Sequence, residues 1–177
     1  LNAIKNKVVV DIEYHKFYES ESETVAFNPY LIKQFKSRWY VIGNKVENNG
    51  IRTYALDRIV KVDTKKKKFN HSKDVDIVGY FKNSFGIIAP NSDKPEKVVF
   101  NATVEQANYI RTFPLHVSQK ILKTSTVQVT FELTVFITYD LIMELLSYGD
   151  EIKVDSPKSL IKELTNMYSS SLAKYKS

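Results

Sequence analysis

The sequence predicts a protein that is mainly β in its first half and α+β in its second. A small β-barrel is expected first, followed by a ferredoxin-like βαββαβ domain with a C-terminal helix. Three observations carry this. Up to residue 89, short alternating segments are separated by tight turns and show no long helical period. The stretch Pro90 to Pro95 (PNSDKP) is dense in turn formers, so a linker at 90–95 divides domains at 1–89 and 96–177. Beyond it, strand and helix patterns follow one another in βαββαβ order.

The first segment, residues 7–18 (KVVVDIEYHKFY), places Val8, Val10, Ile12 and Tyr14 on one face and Asp11, Glu13 and His15 on the other. That is the pattern of a half-buried strand. Ser20–Glu23 is an acidic turn, after which strands are expected at 24–27, 30–35 and 38–43. Glu47–Gly50 (ENNG) is a hairpin signal, because Asn-Gly readily takes positive φ. Residues 51–62 read as the returning strand, with Arg52, Tyr54, Leu56 and Arg58 on one face. Lys65–Lys68 reads as a solvated turn that adds a diffuse attraction for phosphate. A short helix is expected over 74–82.

In the second half, Lys97–Thr103 reads as a strand and Val104–Thr112 as a helix stopped before Pro114. Strands follow at 118–123 and 127–137, the latter alternating Val127, Val129, Phe131, Leu133, Val135 and Ile137 against polar residues. Thr138 is placed to cap a helix over 139–147, whose stripe is Leu141, Ile142, Leu145 and Leu146. Residues 151–154 form a last strand. Ser156–Pro157 opens a C-terminal helix whose apolar stripe covers either the sheet or a second subunit.

Composition narrows the function. With 177 residues, 43% hydrophobic and 12% aromatic, the chain can bury a real core and is not disordered. It contains no Cys, which removes disulfides and thiolate chemistry and fits a reducing compartment, so a cytoplasmic protein is expected. No apolar run approaches the roughly 20 residues of a membrane span. The net charge of +6 belongs wholly to residues 1–90; residues 91–177 are neutral. Only four Arg accompany 22 Lys, and Arg38, Arg52 and Arg58 fall within 21 residues. Arg is favoured where a planar fork meets phosphate or stacks on a base. Arg38 and Tyr40 across the hairpin, with Arg52, Tyr54 and Arg58, would make an Arg/Tyr cluster suited to an anionic ligand. The plainer alternative is cross-strand pairing of Arg58 with Asp57 or Glu47, with both Tyr half-buried in the sheet.

Catalysis finds no support. His15, His71 and His116 are far apart and in no metal-ligand spacing, and no Gly-rich phosphate loop or GxSxG elbow is present. The carboxylate pairs Asp74–Asp76 and Asp150–Glu151 read as turn-edge acids. Neither an enzyme nor a cofactor or metal site is expected.

The stretch Pro29–Tyr30, Arg38–Trp39–Tyr40–Val41–Ile42–Gly43 and Arg52–Thr53–Tyr54–Ala55–Leu56–Asp57–Arg58–Ile59 resembles the WYL-domain family of bacterial transcriptional regulators, with Val41 in place of Leu. Ser84–Phe85–Gly86 matches a motif that often follows this domain. The stretches Pro114–Gln119 and Leu146–Asp150 are similar to the WCX C-terminal extension. The resemblance implies an Sm-like, SH3-type barrel used as a ligand sensor, with single-stranded nucleic acid among the ligands. The positions carried over are Arg38, Tyr40, Arg52, Tyr54 and Arg58 for the ligand, with Asp57 orienting an Arg and Trp39 packing the barrel. Asn28 stands where many members carry His. The family's usual N-terminal winged helix-turn-helix is not legible, since residues 1–17 read as strand, so DNA would be contacted only through a domain outside these residues. The expected function is an effector-binding region that holds an oligonucleotide or nucleotide and signals through a homodimer. The alternative is an assembly module with no nucleic-acid ligand.

Overall fold

The computed structural model describes residues 1–48, 50–70, 76–90 and 94–176. His71, Asp74, Asn49 and the linker residues Asn91–Asp93 lie outside them. The described chain is mainly β within an α+β class, and it divides into two compact units, Leu1–Asp76 and Ile77–Ser177. Each is built on its own antiparallel sheet.

The first unit runs α1 (Asn2–Asn6), β1 (Val8–His15), β2 (Ser22–Phe35), β3 (Arg38–Lys45), β4 (Ile51–Ala55) and β5 (Ile59–Lys68). The sheet order is β4-β3-β2-β1-β5. Among the described residues no pairing joins β4 to β5, so the sheet is open where a closed barrel is expected from sequence. Residues 2–6 are helical rather than extended; a single turn is too short to show a helical period, and Lys7, at φ 51, ends it. β2 is one strand where Pro29 suggests two, because a register shift between Pro29 and Leu31 absorbs the missing amide donor. Residues 51–62 are not one strand: a 3-10 turn over Leu56–Arg58 separates β4 from β5. Lys65–Lys68 lie within β5 rather than in a turn, and Lys65 forms an ion pair with Asp11. A lysine-rich edge of this kind discourages pairing with other strands.

Alternation builds the core. Val10, Ile12 and Tyr14 of β1 meet Val25 and Phe27 of β2, and Val41 and Tyr54 complete the cluster. Gly43 belongs to that face, opposite Pro29, and Phe27 lies over it. Lys36 and Ser37 both have positive φ, 45 and 64, so the β2–β3 connection is a two-residue turn that fits the strand twist. It delivers Arg38 to the first position of β3.

The second unit begins with the short α2 (Ile77–Tyr80), so residues 77–90 pack with this unit. It continues through β6 (Glu96–Thr103), α3 (Val104–Thr112), β7 (Lys120–Thr124), β8 (Gln128–Val135), α4 (Tyr139–Ser147), β9 (Ile152–Ser156) and α5 (Lys158–Ala173). The sheet order is β7-β8-β6-β9. Its core joins Val98, Phe100 and Phe131 of the sheet to Ile110, Leu141, Leu145, Leu160 and Leu164 of the helices. α5 therefore covers this unit's own core. Thr138 sits at the N-cap of α4, yet its hydroxyl is buried and makes no cap bond. His116 serves the turn after α3: its Nδ1 accepts the Ser118 amide at 3.1 Å, while the Ser118 Oγ accepts the Thr134 amide of β8.

A Cβ at Gly43 would stand 2.0 Å from the Asn28 carbonyl oxygen and 2.7 Å from the Phe27 ring. Gly43→Ala should therefore destabilise the first unit by about 1–3 kcal/mol, as overpacking of a close-packed core does. Urea unfolding should show a lowered midpoint with an unchanged m-value; an unchanged midpoint would mean that β2 and β3 can part without cost.

Candidate ligand-binding site

The 3-10 turn between β4 and β5 sets the geometry. It turns Asp57 toward Arg38 at the start of β3, where Nη1 and Oδ2 are 3.5 Å apart with both side chains half exposed. Such a pair is worth roughly 0–1 kcal/mol, so it orients the guanidinium more than it stabilises the fold. The next residue, Arg58, points back along β1. Its guanidinium carbon lies over the ring of Tyr14, 5.1 Å from the centroid, and over the ring of Phe17, 4.6 Å away. The Arg58 Nε is buried and has no hydrogen-bond partner among the described residues. A guanidinium lying over two rings is attracted electrostatically to both.

The other predicted residues are not all brought to this corner. Arg52 is exposed at the far end of β4, opposite Gly43, and its Nη1 donates to the Ile51 carbonyl at 2.8 Å. Gly43 is five residues along β3 from Arg38, roughly 16 Å at the usual rise per residue. Tyr40 is half-buried and pairs with Ala55, which puts it on the opposite face of β3 from Val41 and Tyr54. Tyr54 is 5% exposed and edge-on to Tyr14 and Phe27, at centroid distances of 4.8 and 5.2 Å. Of the two sequence readings of Tyr54, a ligand contact or a sheet residue, its burial agrees with the second. Trp39 is likewise not packed in a barrel. It is 51% exposed and lines an open apolar groove of about 570 Å³ with Leu1, Ile4, Tyr30 and Leu56.

Two residues of the corner are absent from the sequence reading of the site. Tyr14 is legible there as a core position, and Phe17 as the tail of the first strand. β1 in fact ends at His15, which leaves Phe17 in the connection to β2 and free to meet Arg58. Burial pushes the Tyr14 hydroxyl above its usual pKa, opposed by the charge of Arg58 and a hydrogen bond from the Ala55 backbone. Burial pushes Tyr54 up to about 12, with Glu23 adding to the rise and Arg52 opposing it. Among the described residues no group of three or more His, Asp or Glu is placed to hold a metal ion. No described helix is long and apolar enough to cross a membrane.

The family described as WYL domain matches residues 1–64, and the family described as WCX domain matches residues 94–169. A search of curated sequences found no match. Among solved structures, the chain is similar to a CRISPR Cas-related protein, at 14% identity and a TM-score of 0.57, over 99% of this chain and 49% of that one. It is also similar to Proteasome accessory factor B/C of Arthrobacter aurescens, at 17% identity and a TM-score of 0.41, over 99% of this chain and 26% of that one. The chain thus spans about a quarter of one neighbour's length and about half of the other's.

Tyr54 gives this unit a pH signature. In an unfolded chain tyrosine titrates near 10, and in the fold this one titrates near 12. Its share of the stability is therefore complete below pH 10 and is lost as pH rises from 10 to 12, because the unfolded state releases the proton first. Over that interval the urea midpoint of the wild type should fall more steeply than that of Tyr54→Phe. Parallel curves would show that the hydroxyl is not desolvated.

Proposed function

Because the chain belongs to the WYL-domain family and carries a WCX domain in its second half, we propose that it is the effector-sensing region of a bacterial transcriptional regulator. Its first unit takes an anionic ligand, a single-stranded oligonucleotide or a nucleotide. The observation that carries this reading is Arg58: a guanidinium lying over two aromatic rings, its Nε buried with no partner among the described residues, next in sequence to the Asp57 that pairs with Arg38. Arg58 and Arg38 hold phosphate oxygens, Asp57 orients Arg38, and Arg52 adds charge further along the sheet. The groups gathered at the corner among the described residues, cations and aromatic rings, support recognition as the reading.

In this reading the first unit is an Sm-like small barrel left open between β4 and β5, supported by its β4-β3-β2-β1-β5 order. The second is ferredoxin-like, supported by its β7-β8-β6-β9 order. The sensing domain ends and the extension begins between residues 64 and 94, the limits of the two matches. Operator DNA is read by a domain beyond these residues, and ligand binding biases a homodimer that carries it.

A second reading, an assembly module without nucleic acid, is favoured by the apolar residues Tyr109, Phe113, Ile121 and Leu122 left exposed on α3, the turn after it and the edge strand β7. Anisotropy of a short labelled single-stranded DNA across a salt series separates the two. The sensor reading expects log affinity to fall linearly with log salt, with a slope of about 0.7 per phosphate contacted. Arg38→Ala and Arg58→Ala should each weaken binding about tenfold or more, the scale of a lost charge-assisted hydrogen bond. No binding at low salt, together with an oligomer that dissociates on Arg38→Ala, would establish the assembly module instead.

A further inference from the structure

The connection between β1 and β2, residues 16–21, carries two aromatic side chains into solvent. Tyr18 is fully exposed and Phe17 is 61% exposed. Phe17 differs from an incidental surface ring in what lies beneath it. The Arg58 guanidinium sits 4.6 Å from its centroid and is itself backed at 5.1 Å by Tyr14, a buried core ring. One guanidinium thus lies over both a buried ring and an exposed one. A ring fixed in this way on one face presents the other without further ordering, so stacking there would cost little conformational entropy. The loop also holds itself: Lys16 reaches the Glu19 carboxylate at 2.9 Å and that of Glu23, in β2, at 3.5 Å.

We propose that the exposed face of Phe17 is the platform on which a nucleobase of the bound strand stacks, with the adjoining phosphate on the outer edge of Arg58. The inference rests on the anionic-ligand reading above and deepens it, since it names a base, and not phosphate alone, as what the site recognises. Neither Tyr54, which is buried, nor Tyr40, which is half-buried, offers a comparable open ring. Base–aromatic stacking tolerates any base, so the site would select single strands over duplexes rather than one sequence over another.

The test pairs two proteins with two strands. Phe17→Leu keeps an apolar side chain at an exposed position, and an unchanged urea midpoint shows that it folds. The strands are a short oligonucleotide and its abasic counterpart, which has the same phosphates and no bases. The platform predicts that wild type binds the normal strand about five- to hundredfold more tightly than the abasic one, and that Phe17→Leu removes most of that preference. Phe17→Trp should retain affinity and report the contact as quenching of its added indole. Equal binding of both strands by the wild type would overturn the platform. So would a full preference in Phe17→Leu, while a loss of binding in Arg58→Ala in the same series would leave the anionic site standing. Failure of the wild type to bind either strand at low salt would overturn both readings.

Discussion

The contact between the Phe27 ring and the bare Cα of Gly43 is the constraint from which the first unit is built. Only a residue without a Cβ lets that ring lie across the β2–β3 pair, since any added carbon meets both the ring and the Asn28 carbonyl. Once Phe27 is placed, Tyr54 packs edge-on against it, Tyr14 packs edge-on against Tyr54, and Arg58 lies over Tyr14. Phe17 ends the series in solvent. The candidate site is thus the outer end of a run of ring contacts whose inner end is the core. Surface ion pairs could not position it as firmly, because the exposed Arg38–Asp57 pair competes with water and salt.

Residues legible in the sequence are those whose pattern repeats long enough to be unambiguous. α3 and α4 fall where their stripes and stop signals place them, and β8 follows the alternation from Val129 to Val135. What sequence conceals is local punctuation. Pro29 looks like a strand break, yet a bulge beside it lets β2 run on. Leu56–Arg58 continues the alternation of Arg52 and Tyr54 on paper, yet a single 3-10 turn there resets every side chain after it. That turn also explains the site. Extended alternation would align Arg52, Tyr54 and Arg58 on one face; in the fold Tyr54 stays on the core face of β4 opposite Val41, while the turn carries Arg58 off that face and onto Tyr14 of β1. Phe17 could have been singled out only by asking why two aromatics precede the acidic run Glu19–Glu23.

The second unit shows the same distinction between a motif and its physical reason. Ser84–Phe85–Gly86 is noticeable as a sequence motif, but its glycine is required by a neighbour 54 positions away: a Cβ on Gly86 would fall 2.2 Å from the Asp140 Oδ2. That carboxylate, in the first turn of α4, accepts the amides of Ile87 and Ile88 at 2.9 and 3.2 Å. Asp140 therefore ties residues 86–88 to the helix start, where a negative charge is also favoured by the aligned peptide dipoles. Phe85 packs on the core below.

The three clustered arginines end up with three different physical roles, and the difference bears on why Arg and not Lys occupies them in a chain that otherwise prefers Lys. Arg52 folds its Nη1 back on the neighbouring Ile51 carbonyl and supplies charge that any cation could supply. Arg38 presents a fork, one edge of which meets Asp57; in the proposed sensor the other meets a ligand oxygen. Arg58 needs a plane. An ammonium near Tyr14 and Phe17 would surrender its strong hydration for ring contact, while a weakly hydrated guanidinium lies over both rings and keeps donors at its rim. Its Nε, buried without a partner among the described residues, is the remaining desolvation cost of that placement. In the proposed sensor that cost is offset by what the side chain recognises.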